Sequence, residues 1–298
     1  MKNINFVIPV YNEGNVIEIA AKKLFEVIDL LISENKISKE CKILFVDDGS
    51  TDNTWDVIAE LNQQNDKIKG LKLIKNYGQQ NALYAGLMFV KDDCDAAISL
   101  DVDLQDDISL ISQFIEKFEE GYEIVLAAHD DRKSDLFLKR FVSECFYGFM
   151  KFLNPNTIKN HSEFRLISKD VINRLSQYSE TDLFLRLLIP ELSDKKYIYH
   201  TTRRSRIAGT PKYNIFKSFE LAINGMISFS NKPVRFISLC GILLMLLSLF
   251  FITDSIKLFS IWFIGGLQIF FTGIIGEYIA KTYFETKKRP KYIVEKTI

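Results

Sequence analysis

The stretch AAISLDVDLQDD, residues 96–107, is a short apolar run that breaks abruptly into carboxylates. Residues 96–101 have the length and apolar character of a buried β-strand, and Asp101, Asp103, Gln105, Asp106 and Asp107 crowd onto the turn that follows. Carboxylates so close together repel unless a cation or hydrogen-bond donors share their charge. Oxygen-only donors suit Mg²⁺ or Mn²⁺, which also take oxygens from a substrate diphosphate. Taken alone, the turn reads equally as a solvated acidic cap on a helix that begins near Ile108.

Outward from this stretch the same plan recurs. Residues 4–10, 42–47, 70–75 and 123–127 are further short runs rich in Ile, Leu and Val. Helix-length stretches separate them; in residues 16–32, for example, apolar side chains fall at 16, 17, 20, 24, 27, 28, 31 and 32. Short apolar strands alternating with amphipathic helices predict an α/β fold with a mostly parallel sheet covered on both faces. Ligands of such sheets bind beyond the carboxyl ends of the strands, which is where the polar motifs stand: IPVYNEGN (8–15), FVDDGSTDNTW (45–55) and NYGQQNALYAGL (76–87). Asp47 and Asp48 end a strand, where a carboxylate can accept hydrogen bonds from a base or ribose, while Ser50, Thr51 or Asp52 can cap the next helix. The helix opened by the 76–87 motif presents its N-terminus to an anion. Four motifs converging on one crevice predict a nucleotide-sugar site.

The 298 residues carry 38 basic and 38 acidic side chains, so nothing in the charge balance points to a nucleic-acid partner. Cys41, Cys94, Cys145 and Cys240 lie far apart with no C-x-x-C pair, which argues against a disulfide framework or a zinc site and fits a reducing cytosol. No signal peptide precedes the first strand. The C-terminal quarter differs in kind. Residues 236–253 and 258–276 are uncharged, and at about 1.5 Å rise per residue each reaches roughly 27–28 Å as a helix, the thickness of a bilayer's hydrocarbon core. Residues 135–153 and 213–230 carry aromatic and aliphatic stripes bordered by Lys and Arg, as helices lying in a membrane interface do. Lys232 and Arg235 precede the first span and Lys281, Lys287, Lys288, Arg289 and Lys291 follow the second, so the positive-inside rule puts both termini in the cytoplasm. The organisation expected is a catalytic domain over 1–212, a juxtamembrane helix over 213–233, a two-helix transmembrane hairpin over 234–280 and a basic cytoplasmic tail over 281–298.

These motifs, in this order, resemble the nucleotide-binding domain of family 2 glycosyltransferases. Downstream, NHSEFRLISKDV (160–171), RIAGTPKY (206–213), ISFSNKPVR (227–235) and GEYIAKTYFETKKRPKYI (276–293) are similar to the bactoprenol glucosyltransferase and dolichol-phosphate mannose synthase type, over essentially the whole chain. The resemblance implies a GT-A-like domain, a nucleotide-sugar donor with UDP-glucose as the leading choice, undecaprenyl phosphate as acceptor, and residence in the bacterial inner membrane, with room for a homo-oligomer. It implies that Pro9, Tyr11, Glu13 and Asp48 surround the nucleoside, and that Asp101 lies near ribose and diphosphate, with Asp103 and Gln105 as ligands of Mg²⁺ or Mn²⁺. Arg132, Lys139, Arg140, Ser143, Arg165, Arg206 and Lys212 then gather the phosphates, a task for which cationic forks are suited. Three departures stand out: Glu163 replaces Asp in the G-D-F-R-L motif, Asp107 replaces Pro after D-L-Q-D, and Pro211 replaces Ser before Lys-Tyr.

The acceptor sets the mechanism. A phosphate monoester is largely a dianion at pH 7, hence already a nucleophile, and direct displacement inverts the anomeric centre. If a base takes part, the candidates are Glu163, Glu180 and Asp182. His129, His161 and His200 are the only histidines and no G-x-S-x-G elbow occurs, which excludes a Ser/His/Asp hydrolase. A processive polysaccharide synthase carries a Q-x-x-R-W motif that is absent around Trp55 and Trp262, and a catalytically inactive membrane scaffold is at odds with intact Asp101, Asp103 and Gln105.

Overall fold

The computed structural model describes residues 1–129, 158, 161–180, 184–201 and 254–298. Its centre is an eight-stranded sheet in the order β7-β5-β6-β4-β1-β2-β3-β8. The elements run β1 (Ile4–Val10), α1 (Gly14–Ser33), β2 (Ile43–Asp47), α2 (Thr54–Gln64), β3 (Ile68–Leu73), α3 (Gln79–Val90), β4 (Ala96–Ser99), α4 (Ile111–Glu119), β5 (Ile124–His129), β6 (His161–Ser168), α5 (Lys169–Ser176), α6 (Leu185–Leu188), β7 (Lys196–Thr201), α7 (Asp254–Thr286) and β8 (Val294–Thr297). β1 pairs in parallel with both β2 and β4, β2 with β3, and β5 with β7. β6 runs antiparallel to β4 and β5, and β8 antiparallel to β3. The sheet is therefore mixed and mostly parallel, as expected.

The parallel centre follows from composition. β2 is buried at every position, and in β1 only Pro9 is half-exposed, so these strands read as continuous apolar runs rather than alternating ones. α1 buries Val16, Ile17, Ala20, Ala21, Leu24, Ile28 and Leu31, a stripe at three- and four-residue spacing. α3 lies close on the sheet because Gly86 carries no side chain: a Cβ there would stand 2.4 Å from Val7 Cγ1 and 2.7 Å from Val46 Cγ2. On the other flank, Phe114 of α4 stacks between Phe164 of β6 and Tyr199 of β7, with centroids at 4.6 and 5.7 Å.

Two parts of the C-terminal region bear on the expected organisation. The chain divides into two compact units, 1–144 with 156–212 and 290–298, and 145–155 with 213–289. Part of the expected basic tail thus belongs to the sheet: β8 is its edge strand, with Gly70 and Ile298 exchanging backbone hydrogen bonds and the Ile298 side chain lying where a Cβ on Gly70 would go. Lys291 lies 4.3 Å from the Tyr84 ring centroid, Tyr292 packs edge-on against Tyr84, and Lys296 and Lys72 both face the Trp55 ring. α7 contains the whole 258–276 run, although several of its side chains lie outside the described residues. Among the described residues, no helix is long and apolar enough to cross a membrane. The other expected span, 236–253, and the interface helices 135–153 and 213–230 fall outside the described residues.

Candidate active site

The carboxyl ends of β1, β2 and β4 and the turn after β3 form one polar rim. Two turns meet first. The Asn12 amide donates to Ser50 Oγ at 2.9 Å, and the Thr51 amide donates back to Asn12 Oδ1 at 2.9 Å. The Glu13 amide donates to Thr54 Oγ1, and Asp52 accepts from the Thr54 and Gly14 amides. None of the three residues expected to cap α2 is its N-cap, which is Asn53; Asp52 accepts from the amide of its first residue, and Ser50 and Thr51 bind the neighbouring turn. Asn12 adopts a left-handed φ of 51°, which asparagine tolerates better than most residues. Gly14 lets the turns touch, since a Cβ there would stand 2.2 Å from Asn53 Oδ1.

The two carboxylates that end β2 differ in their partners. Asp47 is fully buried and accepts from the Ser50 amide at 2.9 Å; burial raises its pKa above the ordinary carboxylate value. Asp48 accepts from the Tyr77 amide at 2.7 Å and the Gly78 amide at 2.9 Å. Burial pushes it up to about 6 against the opposing pull of those two amides. Gly49 makes this meeting feasible: its φ is 67°, and a Cβ would stand 2.3 Å from the Lys75 carbonyl carbon.

After β4, burial alternates residue by residue. Val102, Leu104 and Asp106 are buried, and Asp101, Asp103, Gln105 and Asp107 are half-exposed. The two apolar side chains anchor the turn, Leu104 with a left-handed φ of 46°, and the oxygen donors Asp101, Asp103 and Gln105 share its other side. Asp101 Oδ1 accepts from Gln79 Nε2 at 2.7 Å, and Asp103 Oδ1 from the Gln105 amide at 3.3 Å. Asp107 caps the short helical turn Ile108–Leu110, accepting from the Ser109 amide and hydroxyl. The helix-capping alternative thus holds for Asp107, at the start of this short helical turn.

An oxygen-binding cation fits this donor set. Gln105 Oε1 is buried with no hydrogen-bond partner, beside two carboxylates on the same turn. Among the described residues no group of three or more His, Cys, Asp or Glu is disposed to hold a metal ion alone.

On β6 the charges turn inward. Arg165 is fully buried, ion-paired with Glu163, and its Nη1 donates to the Leu185 carbonyl at 3.4 Å. Burial, and then the nearby Arg186 charge, bring its pKa down to about 9, so it remains a cation at pH 7. The guanidinium expected to gather acceptor phosphate is thus paired with Glu163 inside the sheet, and the Asp101 charge also acts on it. Glu163 also meets Arg186 Nε at 3.5 Å and Gln80 Nε2 at 3.2 Å. Set among these three cationic and amide groups, Glu163 serves as their anion and is poorly placed to act as a general base. Burial holds His161 down to about 3 against the opposing pull of the Ile158 and Arg186 carbonyls that face its two ring nitrogens; a neutral ring donates to one of them, and both contacts mark a structural residue.

Of the other expected residues, Pro9, Tyr11 and Glu13 are half-buried on the β1 side of the rim, and Glu180 is exposed in the turn after α5. Arg132, Lys139, Arg140, Ser143, Asp182, Arg206 and Lys212 lie outside the described residues. Gln79, Gln80 and Arg186 also contribute to the contacts of Asp101 and Glu163; an uncharged amide gives no sequence signal for which carboxylate it will meet.

Comparisons with known proteins agree with this architecture. The family model described as glycosyl transferase family 2 matches residues 5–176. YkoT, a glycosyltransferase of Bacillus subtilis, is 43% identical over 98% of this chain and 91% of its own length. A prophage bactoprenol glucosyl transferase homolog of Escherichia coli is 37% identical over 98% of each chain, and the bactoprenol glucosyl transferase of Shigella phage SfII is 34% identical over 99% and 98%. Among solved structures, the mannosyltransferase PcManGT of Pyrobaculum calidifontis, in complex with GDP-Man and Mn²⁺, superposes with a TM-score of 0.52 at 13% identity, covering 78% of this chain and 64% of that one. It shares the fold. With its parallel sheet, its polar rim and relatives matching along nearly its full length, this chain belongs to glycosyl transferase family 2.

Proposed function

We propose that the protein transfers a sugar from a nucleotide-sugar to a polyprenyl phosphate, taking glucose from UDP-glucose and using undecaprenyl phosphate as acceptor. The observation that carries the reading is the 77–79 loop, hydrogen-bonded at once to Asp48 on the nucleoside side and Asp101 on the diphosphate side. Similarity along nearly the whole chain to proteins named bactoprenol glucosyl transferases supports the acceptor class.

Asp48 offers acceptor lone pairs to the nucleoside, a carboxylate having about four such sites, of which two are taken by amides. Asp101, Asp103 and Gln105 would hold Mg²⁺ or Mn²⁺, which when bound offsets charge on the leaving diphosphate. The acceptor phosphate is its own nucleophile, so the protein's task is to align it and hold charge. Arg132, Lys139, Arg140, Ser143, Arg206 and Lys212 are proposed for that work, and inversion at the anomeric carbon follows from direct displacement.

We also place the protein in the bacterial inner membrane, with its catalytic domain and both termini cytoplasmic and with 236–253 and 258–276 as spans, making a lipid-linked monophosphate sugar for cell-envelope glycans. What supports the spans is the sequence, two runs of 18 and 19 residues without a charge. β1 and β8 lie in one sheet, so any bilayer crossings between them must be even in number, which supports a hairpin.

The test is a panel of radiolabelled nucleotide-sugars supplied with undecaprenyl phosphate, followed by organic extraction. Label should enter the lipid phase, from UDP-glucose above the other donors. Label that enters only a water-soluble polymer or glycoprotein overturns the acceptor, and lipid label from another donor alone overturns the sugar.

A further inference from the structure

The start of α3 touches three strands that it does not follow in sequence. Asp48, at the end of β2, holds the Tyr77 and Gly78 amides; Asp101, beyond β4, holds the Gln79 side chain; Glu163, on β6, holds the Gln80 side chain. α3 is a firm base for these contacts, because Gly86 seats it against Val7 and Val46, and Gly49 presses the turn after β2 against Lys75 and Asn76. Gly78 leads into the helix with φ 89°, a value open to glycine, so the 77–79 loop has a fixed course.

We infer that Gln79 is a positioning residue for the transferase: it fixes the orientation of the Asp101 carboxylate and thereby the affinity of the metal-bound diphosphate. This rests on the proposed function. An amide donor on a carboxylate restrains its rotation without adding charge. The 2.7 Å contact to Oδ1 is within the range of a strong hydrogen bond to an ionised acceptor. Gln79 and Asp101 belong to separate elements, so holding the carboxylate depends on α3 staying in place, and α3 stays in place partly through Asp48. The nucleoside and diphosphate halves of the donor site are therefore joined through one loop. Gln80, one residue on, makes the corresponding contact on the β6 side and provides an internal control.

The experiment uses the full chain in detergent with UDP, UMP, GDP and Mn²⁺ as probes, read by calorimetry, together with donor and acceptor kinetics and melting temperature. For Gln79→Ala, Mn²⁺-dependent binding of the nucleoside diphosphate should weaken about 10-fold, the effect of losing one hydrogen bond to a charged group. The KM for donor should rise in parallel, while acceptor KM, UMP affinity and melting temperature stay within about twofold or a degree. Gln79→Glu should be worse than alanine, since it sets a second carboxylate against Asp101. Gln80→Ala should leave Mn²⁺-dependent binding unchanged. A Gln79→Ala protein that binds UDP and Mn²⁺ like the wild type overturns this inference alone. So does one that loses UMP affinity and melting temperature together, because that marks a merely structural residue, and so does a glutamate variant no worse than alanine. A wild-type chain that binds neither nucleoside diphosphate overturns both the proposed function and this inference.

Discussion

The rim built by β1, β2 and β4 and the interior of β6 use the same residue types in opposite ways. Along the rim, Asp101 and Asp103 are half-exposed at the crevice, Asp101 accepting from the Gln79 side chain and Asp103 from the Gln105 amide. On β6, Glu163 and Arg165 neutralise each other inside the core. A carboxylate that faces a crevice can be spent on substrate, whereas one that faces a buried guanidinium holds the fold together. A charge in a motif is therefore informative about chemistry only once its depth is known.

Three measurements break or sharpen that contrast. The largest effect is expected at Glu163. Removing it by Glu163→Ala leaves Arg165 buried without its anion, which should lower stability by about 3–5 kcal/mol, read by urea or thermal unfolding. Glu163→Gln should lose less. Unchanged stability in the alanine variant would erase the distinction between the two regions. Next comes Asp103→Asn on the rim, where turnover and Mn²⁺ or Mg²⁺ affinity should drop together by about 100-fold or more at nearly constant melting temperature. Near-normal turnover would remove Asp103 from the metal set.

The smallest effect is a pH dependence, and it lies at the border between the two regions, at Asp48. Its folded pKa of about 6 stands above the ordinary carboxylate value, so the folded state holds that proton more tightly than the unfolded chain does. The stability it contributes is complete below about pH 4 and is lost as the pH rises through about 6, amounting to about 2–3 kcal/mol. Asp48→Asn should flatten this slope between pH 4 and 6 without touching the rest of the profile. A variant whose slope matches the wild type would show that Asp48 titrates normally.

How much of this was legible beforehand depends on burial and on distance along the chain. β1 to β5 could be read because each presents an apolar run between helices, and all five fall within a few residues of the expected ranges. β6 has no apolar run to mark it as a strand. HSEFRLIS is more than half polar, yet every one of its eight residues is buried, since the charges pair with one another and with Arg186. β8, VEKT, is exposed at all four positions and has no hydrophobic pattern to declare it; only the backbone of β3 makes it a strand. In the site, the sequence gathers Asp101, Asp103, Gln105, Asp106 and Asp107 onto one turn, but which of them share a side shows only in the alternating burial along it. The inward course of Arg165 could not be read from its motif, because an arginine in a strand has the same one-letter signal whether it is buried or faces a crevice.

β8 also carries a consequence for how the molecule is made. β3 is synthesised early but acquires its outer neighbour only when Val294–Thr297 emerges, after α7 is complete. At typical rates of about 5–20 residues per second, the outer edge of β3 stays open for on the order of 10 s or more. Lys69 and Lys72 lie half-exposed on that strand, and lysines on an open edge discourage pairing with another chain. When the last strand arrives, Lys72 turns from guard to partner, meeting Glu295 at 3.4 Å. The catalytic sheet is thus closed only after the most apolar described helix has left the ribosome, so maturation of the enzyme waits on the segment proposed to anchor it.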